Sequence, residues 1–189
     1  MTNNIFIISG PSGAGEDSII KGLRDIIPFE KIITSTTREM RPGESQGNPY
    51  YFITKKKFKA GIGRGKFYEY AEEDRGNLYG VTKKELDRTL NSGSIIIWKL
   101  EYQGAITIKK LMPESVAILI DIPIDVIEAR IRRRDNLSEE YIKGRLAYAQ
   151  GWYDNKDKFD YLIKNEEGKL DEAIQKVAEI IKKNIKINC

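Results

Sequence analysis

The stretch Gly10-Pro11-Ser12-Gly13-Ala14-Gly15 limits what this chain can fold into more than any other. It stands between an apolar run, Ile5-Phe6-Ile7-Ile8, and an amphipathic segment carrying Ile19, Ile20 and Leu23. Strand, glycine-rich turn and helix start, in that order, are the context in which a P-loop folds. There the free N–H groups and the positive end of the helix dipole hold phosphate oxygens. Gly10, Gly13 and Gly15 are expected to take left-handed backbone angles and to let the main chain come close to a phosphate. The phosphate-binding set read from this frame is Gly10, Ser12, Gly13, Ala14, Gly15, Glu16, Asp17 and Ser18. One part of the frame is altered. A working P-loop continues with Lys and then Ser or Thr, and here Glu16 and Asp17 occupy those places.

The remaining chain alternates strand and helix patterns, which predicts an α/β fold with a parallel sheet core flanked by helices. Strands are expected at Lys31–Thr34, within Ser94–Leu100, at Val116–Ile120 and at Tyr161–Ile163. A helix should run from about Asp17 and stop before Pro28, and a very basic one should cover Ile124–Arg134. Ser138, followed by Glu139 and Glu140, opens another, with a cap residue and acids in the first turn. Leu170, Ile174, Val177, Ile181 and Ile185 form a core-facing helical stripe. Residues 35–91 differ in character: short strands rich in Tyr and Phe (Tyr50–Ile53, Phe67–Ala71) flank a short basic helix over Lys55–Ala60. Lys55-Lys56-Lys57 is expected to be a solvated face. The expected organisation is one domain over 1–189: a core of 1–34, 92–125 and 151–189, a small mixed insert at 35–91, and a helical segment at 126–150.

Composition enters mainly through what it removes. The chain has no histidine, so the commonest general base and metal ligand are missing, and chemistry must rest on carboxylates, Lys, Arg and a bound metal. A single cysteine, Cys189, allows no internal disulfide and points to a reducing compartment. A net charge of +4 suits polyanionic small molecules as well as nucleic acid and decides nothing alone. Met1-Thr2-Asn3-Asn4 lacks the charged region of a signal peptide, and the apolar runs are too short to span a membrane. A cytoplasmic protein is the expectation.

Five segments taken in order resemble guanylate kinase, over nearly the whole chain. The first is the P-loop. Ser35-Thr36-Thr37-Arg38, Arg41-Pro42-Gly43-Glu44 and Gly47-Asn48-Pro49-Tyr50 together are similar to that family's GMP phosphate-binding stretch. Phe67-Tyr68-Glu69-Tyr70-Ala71 with Gly76-Asn77-Leu78-Tyr79-Gly80 resembles its guanine pocket, and Glu101-Tyr102-Gln103-Gly104-Ala105 the end of its central strand. Arg130–Arg134, Ser138-Glu139-Glu140 and Arg145-Leu146 resemble its arginine-bearing lid. The resemblance implies a P-loop kinase fold with a monophosphate-binding subdomain and a helical lid. It also implies transfer of the γ-phosphoryl group of ATP, with Mg²⁺, onto GMP to give ADP and GDP. The implied GMP-binding residues are Ser35, Arg38, Arg41, Glu44, Tyr50, Glu69, Tyr79 and Glu101. The implied partners are ATP and GMP, with no nucleic acid and no membrane, in a monomer or homodimer.

The chemistry of these residues supports that assignment independently. Arg38, Arg41, Tyr50 and Tyr79 are suitable donors to a phosphate dianion, although the tyrosines could equally be structural aromatics. Guanine presents N1–H and N2–H₂ donors, so its edge requires acceptors, which Glu69 and Glu101 supply. Arg134 and Arg145 would close over the transferring group as catalytic cations, against the bland reading of helix-surface charges. Four departures from the family pattern stand out: Glu16, Asp17, Lys99 in place of the first acid of an Asp-x-Asp pair, and Val81 in place of a hydroxyl residue near the base. Glu101 is also one methylene longer than Asp. A like charge instead of an opposite one about 4 Å from a phosphate would cost roughly twice about 4 kcal/mol at an effective dielectric near 20. Lysine and acid therefore look exchanged between loop and strand. Lys99 becomes the candidate replacement for the P-loop lysine and Asp17 the candidate Mg²⁺ ligand. The alternatives are a reversed structural ion pair in a catalytically impaired binding domain, or a kinase for another monophosphate.

Overall fold

A computed structural model describes residues 4–72, 76–134 and 138–185, with the side chain of Arg134 outside that description. In chain order the elements begin with β1 (Ile5–Ser9), α1 (Glu16–Leu23), β2 (Glu30–Lys31), β3 (Ser35–Thr36), β4 (Tyr51–Phe52), α2 (Lys55–Gly63), β5 (Phe67–Glu72) and β6 (Leu78–Thr82). They continue with α3 (Lys83–Leu90), β7 (Ile96–Lys99), α4 (Tyr102–Leu111), β8 (Val116–Asp121), α5 (Ile124–Arg134), α6 (Glu139–Asp154), β9 (Tyr161–Lys164) and α7 (Leu170–Asn184).

β1 is buried at every position because it lies at the centre of a parallel sheet ordered β2-β7-β1-β8-β9, with helices on both faces. One face packs against α1 and α7 through Ile19, Leu23, Ile174, Val177 and Ile181. The other carries Ile5, Ile7 and Trp98 against Ala105 and Ile108 of α4 and the base of the insert. β7 and β1 run in register with Lys99 beside Ile8, so Lys99 emerges at the strand end from which the glycine loop departs. The insert forms its own mixed sheet, β4-β3-β6-β5, closed over Phe58, Phe67 and Leu78.

Three features differ from expectation. The strand expected at Lys31–Thr34 is split, with Glu30–Lys31 pairing in the core sheet and Ser35–Thr36 in the insert sheet. Between them the Ile33 N–H donates to Glu85 Oε1 at 3.0 Å, so a buried side chain on α3 takes the bond a neighbouring strand would supply. β6 and α3 are elements that the sequence pattern does not mark, β6 coinciding with the segment that resembles the guanine pocket. β7 ends at Lys99, so Glu101, expected at the end of the central strand, is the N-cap residue of α4. The solvated reading of Lys55-Lys56-Lys57 agrees with their exposure on α2. Among the described residues no helix is long and apolar enough to cross a membrane.

Candidate active site

The glycine loop joins β1 to α1 with Gly13 at φ +86° and Gly15 at φ +96°, angles at which a side chain is strained. Gly10 is not left-handed, contrary to expectation. Its constraint is room: an added Cβ would meet the Ala14 Cβ at 2.9 Å and the Ile120 carbonyl at 3.1 Å. Two distant residues pin the loop from behind. Arg130 on α5 donates to the Gly13 carbonyl at 2.9 Å and to the Asn165 carbonyl at 3.0 Å. The buried amide of Asn165 donates to the Ala14 carbonyl at 2.7 Å and fills the space a Gly15 side chain would need. Turned outward, Gly10, Ser12, Gly13, Gly15, Glu16, Asp17 and Ser18 line a cleft of about 920 Å³. Ala14 does not; it is buried under the loop.

The exchanged charges meet here, though not as expected. Lys99 bonds Asp17, with Nζ 2.7 Å from Oδ2, and not Glu16. Glu16 folds back toward Gly10. Burial there pushes its carboxyl above the ordinary range, opposed by the field of Lys99. Burial works against the charge on Lys99, but the neighbouring Tyr50, Glu16 and Asp17 together hold its ammonium above the ordinary lysine value. Of these the two carboxylates matter most near neutrality, since burial raises the Tyr50 phenol and keeps it neutral. Lys31, on β2, is pushed down by burial and by Lys99.

Across the cleft, Arg38, Arg41, Glu44, Tyr50, Glu69, Tyr79 and Glu101 all reach the cavity wall. Arg38 makes a bidentate pair with Glu44, 2.8 Å and 2.9 Å, and Glu44 also accepts from the Arg41 N–H at 2.7 Å. Glu44 is therefore an orienting group for Arg38. The rings of Tyr50 and Tyr79 meet edge to face at 5.8 Å, and Arg38 lies over Tyr50 at 5.4 Å, so the tyrosines are both packed and at the cleft. Burial raises Glu69 to about 7, partly offset by the Val81 amide. Ser35 does not line the cleft. It is buried in β3 between Tyr51 and Gly80, and Thr34 stands at the wall instead. Val81 is fully buried in the core beside Leu86 and Trp98, so its side chain turns away from the cavity.

Above the cleft, α5 and α6 contribute Arg130, Tyr141 and Arg145. Trp152 on α6 donates from its indole to the Ser9 hydroxyl at 2.9 Å and packs with Tyr102 and Tyr148, fixing the root of the lid to β1. Arg134 ends α5, and its side chain lies outside the described residues. Among the described residues there is no cluster of three or more acids, Cys or His that could hold a metal alone. A magnesium nucleotide does not require one, because it takes one or two carboxylates and completes its shell with phosphates and water. Asp17, with a carboxylate 70% exposed at the loop mouth, fits that need. The sequence marks Arg130 only as one of the lid arginines, and it does not single out Tyr141 or Asn165.

A glycine loop at the end of a central parallel strand, an acceptor sheet facing it and an arginine-bearing helical pair above define a P-loop nucleoside monophosphate kinase architecture. The family profile described as guanylate kinase matches residues 2–184. The guanylate kinase of Shewanella violacea is 38% identical over 182 residues, 95% of this chain and 86% of that protein. That of Rickettsia felis is 38% identical over 179 residues, 94% and 92% of the two chains. The chain belongs to the guanylate kinase family. The solved guanylate kinase from Anaplasma phagocytophilum superposes with a TM-score of 0.74 at 28% identity, covering 96% of this chain and 86% of that one. A shikimate kinase from Bacteroides thetaiotaomicron, 12% identical with a TM-score of 0.50, shares the fold alone.

Proposed function

We propose that the protein transfers the γ-phosphoryl group of ATP to GMP, forming ADP and GDP, with Mg²⁺ accompanying the donor. One observation carries this reading: a single cleft has a phosphate-binding loop on one wall and, on the other, paired guanidinium, phenol and carboxylate groups suited to a guanine monophosphate. A GMP phosphate oxygen attacks the γ-phosphorus as the bond to the ADP oxygen breaks. The nucleophile is already an anion, so no protein base is needed, in keeping with a chain that has no histidine. Arg38 and Arg41 hold the acceptor phosphate, with Arg38 held in place by Glu44. Glu69 and Glu101 accept from the guanine edge. Arg145, with Arg134 from the same lid, neutralises charge as it spreads over the transferring oxygens. Asp17 is the residue that would hold magnesium, which would supply countercharge to the donor phosphates.

A coupled ADP-release assay with GMP, AMP, UMP and dTMP tests this reading, and turnover with GMP alone is expected. Equal or better use of AMP would remove the roles given to Glu69 and Glu101. The second reading, a guanine-nucleotide binding domain without turnover, draws on Glu16 at the lysine position. GMP binding without ADP release would select it.

A further inference from the structure

We propose that Asp17 and Lys99 form a latch, in which the ammonium that serves the donor phosphates is stored on Asp17 and released when Asp17 turns to the metal. This inference rests on the kinase reading above. Three placements support it. Lys99 is fixed at the end of β7 beside Ile8, and the following Leu100 N–H donates to the Ile8 carbonyl at 3.2 Å, so the lysine backbone is tied to the strand that launches the loop. Its Nζ crosses to the first turn of α1, 2.7 Å from Asp17 Oδ2, at the wall of the cleft. Glu16, in the position a P-loop lysine would hold, offers no cation of its own.

The charge count then forces a coupling. In the ordinary family pattern, lysine, a hydroxyl residue and an acid at these three positions sum to zero, whereas Glu16, Asp17 and Lys99 sum to one net negative charge. Here the only cation among positions 16, 17 and 99 is already neutralised by a carboxylate. ATP arriving without metal meets Asp17 and Glu16 beside an ammonium that is in use. A divalent cation on Asp17 takes over as its countercharge and frees the lysine for the β- and γ-oxygens. Metal and nucleotide should each bind weakly alone and strongly together, and by linkage each raises the affinity of the other by the same factor. Lysine suits this exchange because it is a point charge on a flexible stem.

The test is ATP affinity measured calorimetrically without GMP, in Mg²⁺ and in EDTA, for the wild type, Asp17→Asn and Lys99→Gln. Asp17 is 70% exposed, so its substitution leaves the fold intact. The latch predicts that Asp17→Asn binds metal-free ATP about tenfold more tightly than the wild type and loses most of the magnesium dependence, since one unit charge near a phosphate is removed and the ammonium freed. Lys99→Gln, or Lys99→Met should the first fold poorly, should lose about tenfold in magnesium–ATP affinity. Unchanged or weaker metal-free binding by Asp17→Asn, or full magnesium–ATP affinity without Lys99, would overturn the latch and leave the kinase reading standing. No ATP binding by any sample in either buffer would overturn both.

Discussion

On the proposed reading, Glu69 would make guanine recognition dependent on pH near neutrality. The residue is 9% exposed, and burial lifts the carboxyl to about 7, with the Val81 amide pulling the other way. Guanine presents donors, so the protonated acid is the wrong partner, and a proton must leave before GMP binds. Affinity should therefore fall by about twofold at pH 7 and about tenfold at pH 6 relative to the fully ionised site, following the fraction ionised. GMP has a phosphate that itself titrates near about pH 6. The informative quantity is consequently the ratio of wild-type affinity to that of Glu69→Gln, which carries the phosphate titration but not the Glu69 one. That ratio, read by calorimetry at several pH values, should rise about tenfold from pH 6 to pH 8.

The same group predicts a stability slope of defined sign. Burial holds the folded carboxyl at about 7 against an ordinary value of 4.5, so between those values the folded state holds a proton that the unfolded state has lost. Stability from this group is complete below the unfolded value and is lost as pH rises through the folded one, by about 3 kcal/mol in total. Glu69→Gln should remove that slope and be the more stable protein at pH 8 in urea melts. A wild type whose stability relative to Glu69→Gln rises between pH 5 and pH 7, or whose GMP affinity ratio is flat, would refute the reasoning.

Two further outcomes are expected. Asn165→Ala leaves the buried Ala14 carbonyl without its 2.7 Å donor and opens space beneath Gly15. It should cost about 1–3 kcal/mol in chemical denaturation and weaken ATP binding while sparing GMP affinity. Arg145→Ala removes a lid cation from the cleft wall. Turnover should drop by at least about 100-fold with little change in GMP affinity, because the contact strengthens as charge develops; steady-state kinetics beside calorimetry separates the two.

What could be read from the sequence was whatever depends on short spacing. The glycine loop, the buried strands around it and the α7 stripe are local patterns, and they fall where expected. So do Arg38, Arg41, Tyr50, Glu69 and Tyr79 at the cleft, since each sits in a compact family segment. Contacts across long separations could not be read. Arg130 reaches Gly13 across 117 positions and Asn165 reaches Ala14 across 151, and no periodicity encodes either bond. The exchange of Glu16 and Lys99 was visible as a pair of anomalies, but their spacing gave no means of choosing a partner. The structure pairs Lys99 with the next residue because Glu16 folds back toward Gly10 while the Asp17 carboxylate reaches the ammonium. Ser35 was misplaced for a related reason: alternation along a two-residue strand decides which neighbour faces the cavity, and the sequence does not fix where so short a strand begins.

On the proposed reading, the two phosphate subsites would solve one problem differently, that of holding a cation in place before its anion arrives. On the acceptor side, Glu44 engages one N–H on each terminal nitrogen of Arg38, and the planar guanidinium has further donors for a phosphate while that pair persists. Arg38 is thus oriented once, and binding need not disturb it. On the donor side, a lysine carries its whole charge at one nitrogen, so the carboxylate that steadies it also competes with the phosphate for it. Arginine with a permanent partner gives a preorganised site, whereas lysine with an exchangeable partner gives a conditional one. The exposure of the partners follows the same division: Glu44 is 16% exposed, Asp17 is 70% exposed, and only the latter is accessible to a cation from solvent.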